Sequence, residues 1–159
     1  MPFVHSEPSR GIDKPWFCWL PQEPSEPGVR FRAALEALAY LIALGVQEHI
    51  DAGQKITRIT ISGGIVRSDL MGEILASVLN RPLERLVSSE GPALGAAVTA
   101  LAAVETHRRR QTKIAEPFSV SDAVSALVRF RTPANPNSAW QAAYGTGLRL
   151  FAERIAQAK

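Results

Sequence analysis

The chain has 159 residues, with 18 Lys+Arg against 15 Asp+Glu for a formal charge of +3, and is 46% hydrophobic. A chain of this size can bury roughly 70% of its unfolded surface in one core, and ordinary apolar content with a small net charge excludes a disordered charged tail. Its single cysteine, Cys18, excludes an internal disulfide framework and a thiolate zinc site and points to a reducing compartment.

Residues 1–28 read as an irregular lead-in, because prolines at 2, 8, 15, 21, 24 and 27 forbid a long helix. Its polar, proline-containing start lacks the pattern of a signal peptide. The aromatic run Pro15-Trp16-Phe17-Cys18-Trp19-Leu20 reads as one strand or an extended packing segment. From Val29 to Ala52 the apolar residues Phe31, Ala34, Leu35, Leu38, Leu41, Ile42, Val46 and Ile50 recur at helical spacing, which predicts an amphipathic helix stopped by Gly53. Ile56 to Ile61 switches to β-branched residues and reads as a strand ended by Ser62-Gly63-Gly64.

A second helix is expected from Ser68 to Leu79, with Ser68 or Asp69 as N-cap and with Asn80 and Pro82 ending it. Leu83 to Val87 reads as a short strand and Ser88 to Pro92 as a turn, with Pro92 near the start of a third helix that runs to about Thr106. That helix is rich in small residues, among them Ala93, Gly95, Ala96, Ala97 and Ala100, which predicts close packing and burial. The uncharged run from Gly91 to Val104 falls short of the ~18 residues that a membrane span needs, so a soluble, cytoplasmic protein is expected. Two further helices are expected at 121–128 and 138–157, joined by a turn-rich connector at 132–137. The second places Trp140, Ala143, Tyr144, Leu148, Phe151 and Ile155 on one face. The order implies an α/β layer with very few strands, and so small a sheet hints that part of a larger one is absent.

Two segments could carry chemistry. In Ile59-Thr60-Ile61-Ser62-Gly63-Gly64-Ile65-Val66-Arg67-Ser68, glycines at a strand's end let backbone approach a nucleotide with no Cβ in the way, and the next helix start offers free N–H groups. Read alone, this stretch is better explained as a tight turn. The second segment, Ser89-Glu90-Gly91-Pro92-Ala93-Leu94-Gly95-Ala96-Ala97, is by itself a helix start with a small-residue face.

Together and in this order, the two resemble the adenosine-binding end of the actin/Hsp70/sugar-kinase ATPase fold, a ribonuclease-H-like domain with a sheet packed by helices. Within that superfamily the chain is similar to the FGGY carbohydrate kinases, xylulokinase-like members in particular. Arg32-Ala33-Ala34-Leu35-Glu36-Ala37 resembles their Arg-Ala-x-x-Glu-Gly helix, and Pro8-Ser9-Arg10-Gly11 their Pro-x-x-Arg-Gly segment. Gly63 to Met71 resembles their Gly-Gly-Gly-Ala-x-Ser-x-x-Trp stretch, and Pro133, Trp140, Tyr144 and Phe151 fit their closing helices.

The resemblance implies that residues 29–159 form the C-terminal, nucleotide-binding domain of a kinase that transfers the γ-phosphoryl group of MgATP to a sugar or polyol hydroxyl of the xylulose or ribulose class. Gly64 and Ser68 would contact the adenosine part of ATP or ADP, Gly63 would support the turn, and Glu90 with Gly95-Ala96-Ala97 would shape the pocket wall. The N-terminal domain, with the sugar site, a phosphate loop and the general-base aspartate, is expected to be a missing partner. Phosphoryl transfer depends on such parts, and Asp13, Asp51, Asp69 and Asp122 lie in none of the expected contexts, so no catalytic residue is nominated and the chain alone is expected to be inactive.

Several positions depart from the family pattern: Ile65-Val66 for Gly-Ala, Met71 for Trp, Glu73 and Ser77 for Gln and Asp, and Ala37 for Gly. The β-branched pair Ile65-Val66 is expected to crowd a nucleotide. His5, His49 and His107 are too scattered for a metal site. The run His107-Arg108-Arg109-Arg110 reads as a solvated helix end, not as a nucleic-acid or membrane contact. An alternative expectation is a non-catalytic remnant that self-associates, as a homodimer, through apolar surface.

Overall fold

The computed structural model describes residues 2–3, 11–14 and 16–157, with no account of the side chains of Pro2, Phe3 and Trp16. His5 and the Pro8-Ser9-Arg10 part of the family-like segment therefore lie outside the described residues. The chain divides into two compact units, one formed by Met1–Thr57, Leu70–Pro82 and Ala134–Lys159, the other by Arg58–Asp69 and Leu83–Pro133.

In the first unit, β1 (Pro2–Phe3) pairs antiparallel with β2 (Trp16–Phe17), with Pro2 opposite Phe17. The aromatic run is thus in part a strand, and its Phe17 ring packs edge-on against Trp19 at 5.1 Å. Helix α1 (Pro27–Asp51) starts two residues earlier than the periodicity suggests, since Pro27 occupies the first turn, where a missing N–H costs nothing. Gly53 adopts φ +84° and closes the helix end, its N–H reaching the Ile50 carbonyl at 2.9 Å. The buried positions of α1 are Ala37, Ala39 and Ala43, whereas Phe31, Leu38 and Ile50 of the expected apolar face are exposed.

Ala37 joins Ile12, Phe151 and Ile155 in one core cluster, flanked by Tyr40, Leu41 and Leu44. Burying a side chain such as Phe151, 3% exposed, contributes about 1.5–3 kcal/mol. Phe151 and Ile155 come from α5 (Gln141–Gln157), so this cluster packs α5 on α1. The single helix expected over 138–157 instead begins as a 3₁₀ turn, Ser138–Trp140, capped by Asn137, whose side chain accepts from the Ala139 N–H. Ala143 is exposed, so the α5 core face is narrower than its periodicity suggests.

Helix α2 (Asp69–Leu79) buries Met71, Ile74 and Leu75, while Leu70 is exposed. Ser68 precedes the helix and Asp69 lies in its first turn, the favourable place for a carboxylate. Two of the departures from the family pattern work here as a polar tie. Ser77 Oγ donates to the Glu73 carbonyl at 2.6 Å and accepts from the Asn137 N–H at 2.8 Å, while Asn137 Nδ2 donates to Glu73 Oε1 at 3.0 Å.

The second unit holds the sheet, in the order β3-β4-β5. Strand β3 (Thr60–Ile61) runs parallel to β4 (Leu83–Leu86), with Thr60 opposite Glu84 and Ile61 opposite Arg85. The strand expected from Ile56 shrinks to two residues: only the Ile59 carbonyl upstream joins the ladder, accepting from the Glu84 N–H at 3.0 Å. The Ile56 carbonyl accepts from Arg81 Nη1 at 3.0 Å instead. β5 (Phe130–Ala134) was hidden by Pro133, which suggests a connector; at the sheet's edge a proline removes no needed ladder donor.

Helix α3 (Gly91–Gln111) runs one turn beyond Thr106 and packs on α4 (Val120–Leu127) through Val98, Ala102 and Ala123. The expected burial of the small-residue helix is wrong. Ala93, Gly95, Ala96, Ala97 and Ala100 are exposed, and a Cβ added at Gly95 would meet nothing within 4 Å. α4 opens with a capping box: Ser119 Oγ accepts from the Asp122 N–H at 3.1 Å and the Asp122 carboxylate accepts from the Ser119 N–H at 2.7 Å. No helix among the described residues is long and apolar enough to cross a membrane.

Candidate functional site

The Gly-Gly turn follows β3 directly. Gly63 has φ +73° and opens a 3₁₀ turn, Gly63–Arg67. Only a residue without a Cβ takes that conformation without strain, which accounts for glycine at position 63. Gly64 sits in open space, for a Cβ built there would meet nothing within 4 Å. The Ser68 N–H closes the turn on the Ile65 carbonyl at 3.3 Å, and Ser68 itself is partly exposed.

Crowding by Ile65-Val66 is reduced to one residue. Val66 is 3% exposed and belongs to the core, so of the pair only Ile65 keeps partial exposure. The hydrophobic effect decides this: a valine side chain turned inward contributes about 1.5–3 kcal/mol, which holds it away from solvent.

The second motif is drawn up against the first. At the start of α3, a Cβ added to Gly91 would stand 2.9 Å from Ser62 Oγ and 3.4 Å from Ser62 Cβ. The glycine is what permits that approach. Arg67 then spans the two motifs, its Nη2 donating to Ser89 Oγ at 3.1 Å and to Glu90 Oε1 at 3.2 Å. Both partners of the Arg67–Glu90 pair are about two-thirds exposed, at 69% and 70%, so the pair is worth roughly 0–1 kcal/mol and orients more than it stabilises. Sequence reasoning assigned no role to Arg67 or to Gly91; the signal available was the lone cation in the first motif and the lone acid in the second.

The helix start is less suited to phosphate than its position suggests. Pro92 removes one first-turn N–H donor. Glu90 stands at the N-cap, where its carboxylate opposes a second anion. The start of α3 therefore offers few donors to a phosphate. Gly95, Ala96 and Ala97 lie further along α3 on exposed positions.

Each aspartate has a structural partner or an exposed place. Asp13 is exposed; Asp51 accepts from Gln47 Nε2 at 2.8 Å; Asp69 pairs with Arg85; Asp122 serves the capping box. Hydrogen bonds from Ser119, the backbone one foremost, hold Asp122 below the usual carboxylate pKa. Among the described residues no three His, Cys, Asp or Glu side chains gather as a metal site. His49 is exposed, and the His107 ring meets Gln111 at 2.9 Å. In the basic run, Arg108 pairs with Glu105 at 2.8 Å and Arg109 lies 5.1 Å over the Phe118 ring.

In the first unit, the family-like helix motif forms a clamp. Arg32 Nε donates to Glu36 Oε1 at 2.9 Å, Arg32 Nη2 donates to Tyr144 Oη at 2.9 Å, and Tyr144 Oη donates to Glu36 Oε1 at 3.1 Å. The Arg32 guanidinium also lies 4.5 Å over the Trp140 ring. Burial first, then the Glu36 charge, raises the Tyr144 phenol, against the opposing pull of Arg32. The Arg and Glu of the motif therefore fix α5 to α1.

An actin-like domain of carbohydrate-kinase type is the class these elements define. The FGGY family of carbohydrate kinases, C-terminal domain, matches residues 19–104, and the chain belongs to that family. It is 34% identical to the ribulokinase of Mycolicibacterium smegmatis over 79 residues, which is 50% of this chain and 14% of that protein. It is 34% identical to the glycerol kinase of Symbiobacterium thermophilum over 126 residues, 77% of this chain and 23% of that one. Its fold is similar to that of xylulose kinase from Rhodospirillum rubrum, with TM-score 0.67 and 30% identity over 85% of this chain and 26% of that chain. Gluconate kinase from Lactobacillus acidophilus shares the fold at TM-score 0.58 and 21% identity, over 80% of this chain and 24% of the other. The chain thus spans only 14% and 19% of two of the curated relatives, a ribulokinase and a glycerol kinase.

Proposed function

We propose that this chain is the nucleoside-binding part of an ATP-dependent kinase acting on a hydroxyl of a sugar or polyol, of the xylulose or ribulose class. The observation that carries the reading is the open turn at Gly63-Gly64, held beside the α3 start by the Gly91–Ser62 approach. Gly64 backbone and Ser68 would line the adenosine, with Gly63 fixing the turn. Bound ATP would supply the phosphoryl group, and Mg²⁺ would travel with its phosphates; no residue of this chain is assigned to the metal. Sugar recognition and the general base would come from the rest of a two-domain kinase, in the same polypeptide or another, and without it the chain would transfer no phosphate. The xylulose or ribulose class rests on the names of two relatives.

The test is calorimetric titration with MgATP and MgADP of the chain and of Gly64→Val. The substitution is clean, because Gly64 has no neighbour within 4 Å and no positive φ. Binding by the parent that the variant loses supports the reading. Equal binding by both, or heat from neither at millimolar nucleotide, a Kd of 1 mM being about −4 kcal/mol, removes it.

A second reading, a self-associating domain without catalysis, is favoured by Phe31, Val104 and Val120, which are 64%, 62% and 59% exposed. Sedimentation across a concentration series distinguishes a dimer from a monomer.

A further inference from the structure

The first unit contains a cavity of about 550 Å³ between the lead-in segment and helices α1 and α5. Its size falls within the roughly 300–1,000 Å³ typical of small-molecule sites. It exists because the helices offer small residues there, Ala33, Ala34 and Ala37 on α1 and Gly147 on α5. Around that floor stand four aromatic rings, Phe17, Trp19, Tyr40 and Phe151.

Three ionisable lining groups, Glu36, Tyr40 and Arg154, decide which charge the cavity favours. The Glu36 carboxylate is already matched by the Arg32 guanidinium at 2.9 Å and by the Tyr144 hydroxyl, so its charge is offset. The Tyr40 hydroxyl makes no hydrogen bond among the described residues, and burial raises its pKa well above the usual phenol value, which keeps its proton in place. Among the described residues, Arg154, on the last turn of α5, is bonded only to the neutral Gln157 side chain, at 3.1 Å. The lining is therefore apolar and aromatic, with one cation whose charge no carboxylate of the described residues meets.

We propose that this cavity binds a compact aromatic monoanion, with its rings among Phe17, Trp19, Tyr40 and Phe151 and its carboxylate or sulfonate on Arg154. An aliphatic ligand would fill the volume and forgo edge-to-face contacts with four rings. A cation would meet Arg154 with no free carboxylate to offset it. A polyanion such as a nucleotide would leave most of its charge in apolar surroundings, which is costly. The site lies in the unit that does not contain the Gly63-Gly64 turn, and it stands whether or not that turn holds a nucleoside.

The probe is 2-naphthoate, followed by fluorescence titration of the full chain, with the neutral 2-naphthol as its uncharged counterpart. Saturable 1:1 binding is expected, at least tenfold tighter for the acid than for the naphthol. Arg154→Gln, at an exposed position that leaves folding intact, should erase that tenfold preference. Ala34→Trp should fill the cavity and abolish binding of both. Cys18, which lines the cavity, gives an independent reading: naphthoate should slow its alkylation by a maleimide at least fivefold in the parent and not in Ala34→Trp. No saturable binding up to 1 mM, equal affinity for acid and naphthol, or a preference that survives Arg154→Gln would overturn the proposal.

Discussion

Gly145 and Gly147 stand two residues apart in α5, and the structure gives them opposite fates on substitution by alanine. In an exposed helix interior, Gly→Ala stabilises by about 1 kcal/mol, because the helix no longer carries the backbone entropy of glycine. Gly145 meets that condition, with nothing within 4 Å of an added Cβ. At Gly147 the same Cβ would sit 2.9 Å from Tyr40 Cζ and nearer still to Tyr40 Oη. The Tyr40 ring cannot step aside freely, since it is packed against Phe151 at 5.3 Å and Tyr144 at 6.2 Å. Overpacking of this kind costs about 1–3 kcal/mol, and contact with ring atoms puts it at the upper end. Subtracting the propensity gain leaves Gly147→Ala destabilising by about 1–2 kcal/mol, while Gly145→Ala stabilises by about 1 kcal/mol. Urea unfolding of the parent and both variants measures the difference. If the two substitutions shift stability equally, the α1–α5 packing that shapes the clamp and the cavity is wrong.

Two further outcomes are expected. Tyr144→Phe removes the hydroxyl that joins Arg32 to Glu36 and should cost about 1 kcal/mol in urea unfolding, with part of that loss persisting in a Glu36→Gln background, where the Arg32 bond to the hydroxyl remains. Asp122→Asn should lower the melting temperature near neutral pH, by an amount that shrinks as pH falls below 3.8. The folded-state pKa of Asp122 lies below its ordinary value of 3.8, so its stabilisation is complete above that value and is lost as pH falls through the lower folded one; paired thermal melts across pH 2–7 check this.

The helices were legible because each has a local cause. Pro92 at a helix start and the apolar spacing in α5 act within a few residues; Pro27, read as part of the irregular lead-in, and the Ser119–Asp122 capping box set starts of α1 and α4 that lie two residues and one residue earlier than expected. What failed depends on distant partners. The six-residue strand ending at Ile61 was cut short because Arg81 takes the Ile56 carbonyl, and nothing near Ile56 in sequence announces that. β5 was masked by a proline that is tolerated only because the strand lies at an edge. The small residues of α3 suggested burial, yet smallness only permits close approach. At Gly91 a neighbour is present and at Gly95 none is.

The site was half legible. The order of the Gly-Gly turn and the Glu-Gly-Pro-Ala segment located both motifs, and Gly63 and Gly91 owe their identity to a positive φ and a close contact. The inward turn of Val66, the Arg67 bridge and the Arg32–Glu36–Tyr144 clamp needed coordinates, since the clamp joins residues 112 and 108 positions apart.

The most direct measurement is the titration of MgADP into the parent chain and Gly64→Val by calorimetry, with circular dichroism confirming equal folding. A nucleoside site at the Gly63-Gly64 turn predicts saturable heat for the parent and a loss of at least tenfold in affinity for the variant. Parent and variant binding alike would place any nucleotide elsewhere and contradict the account.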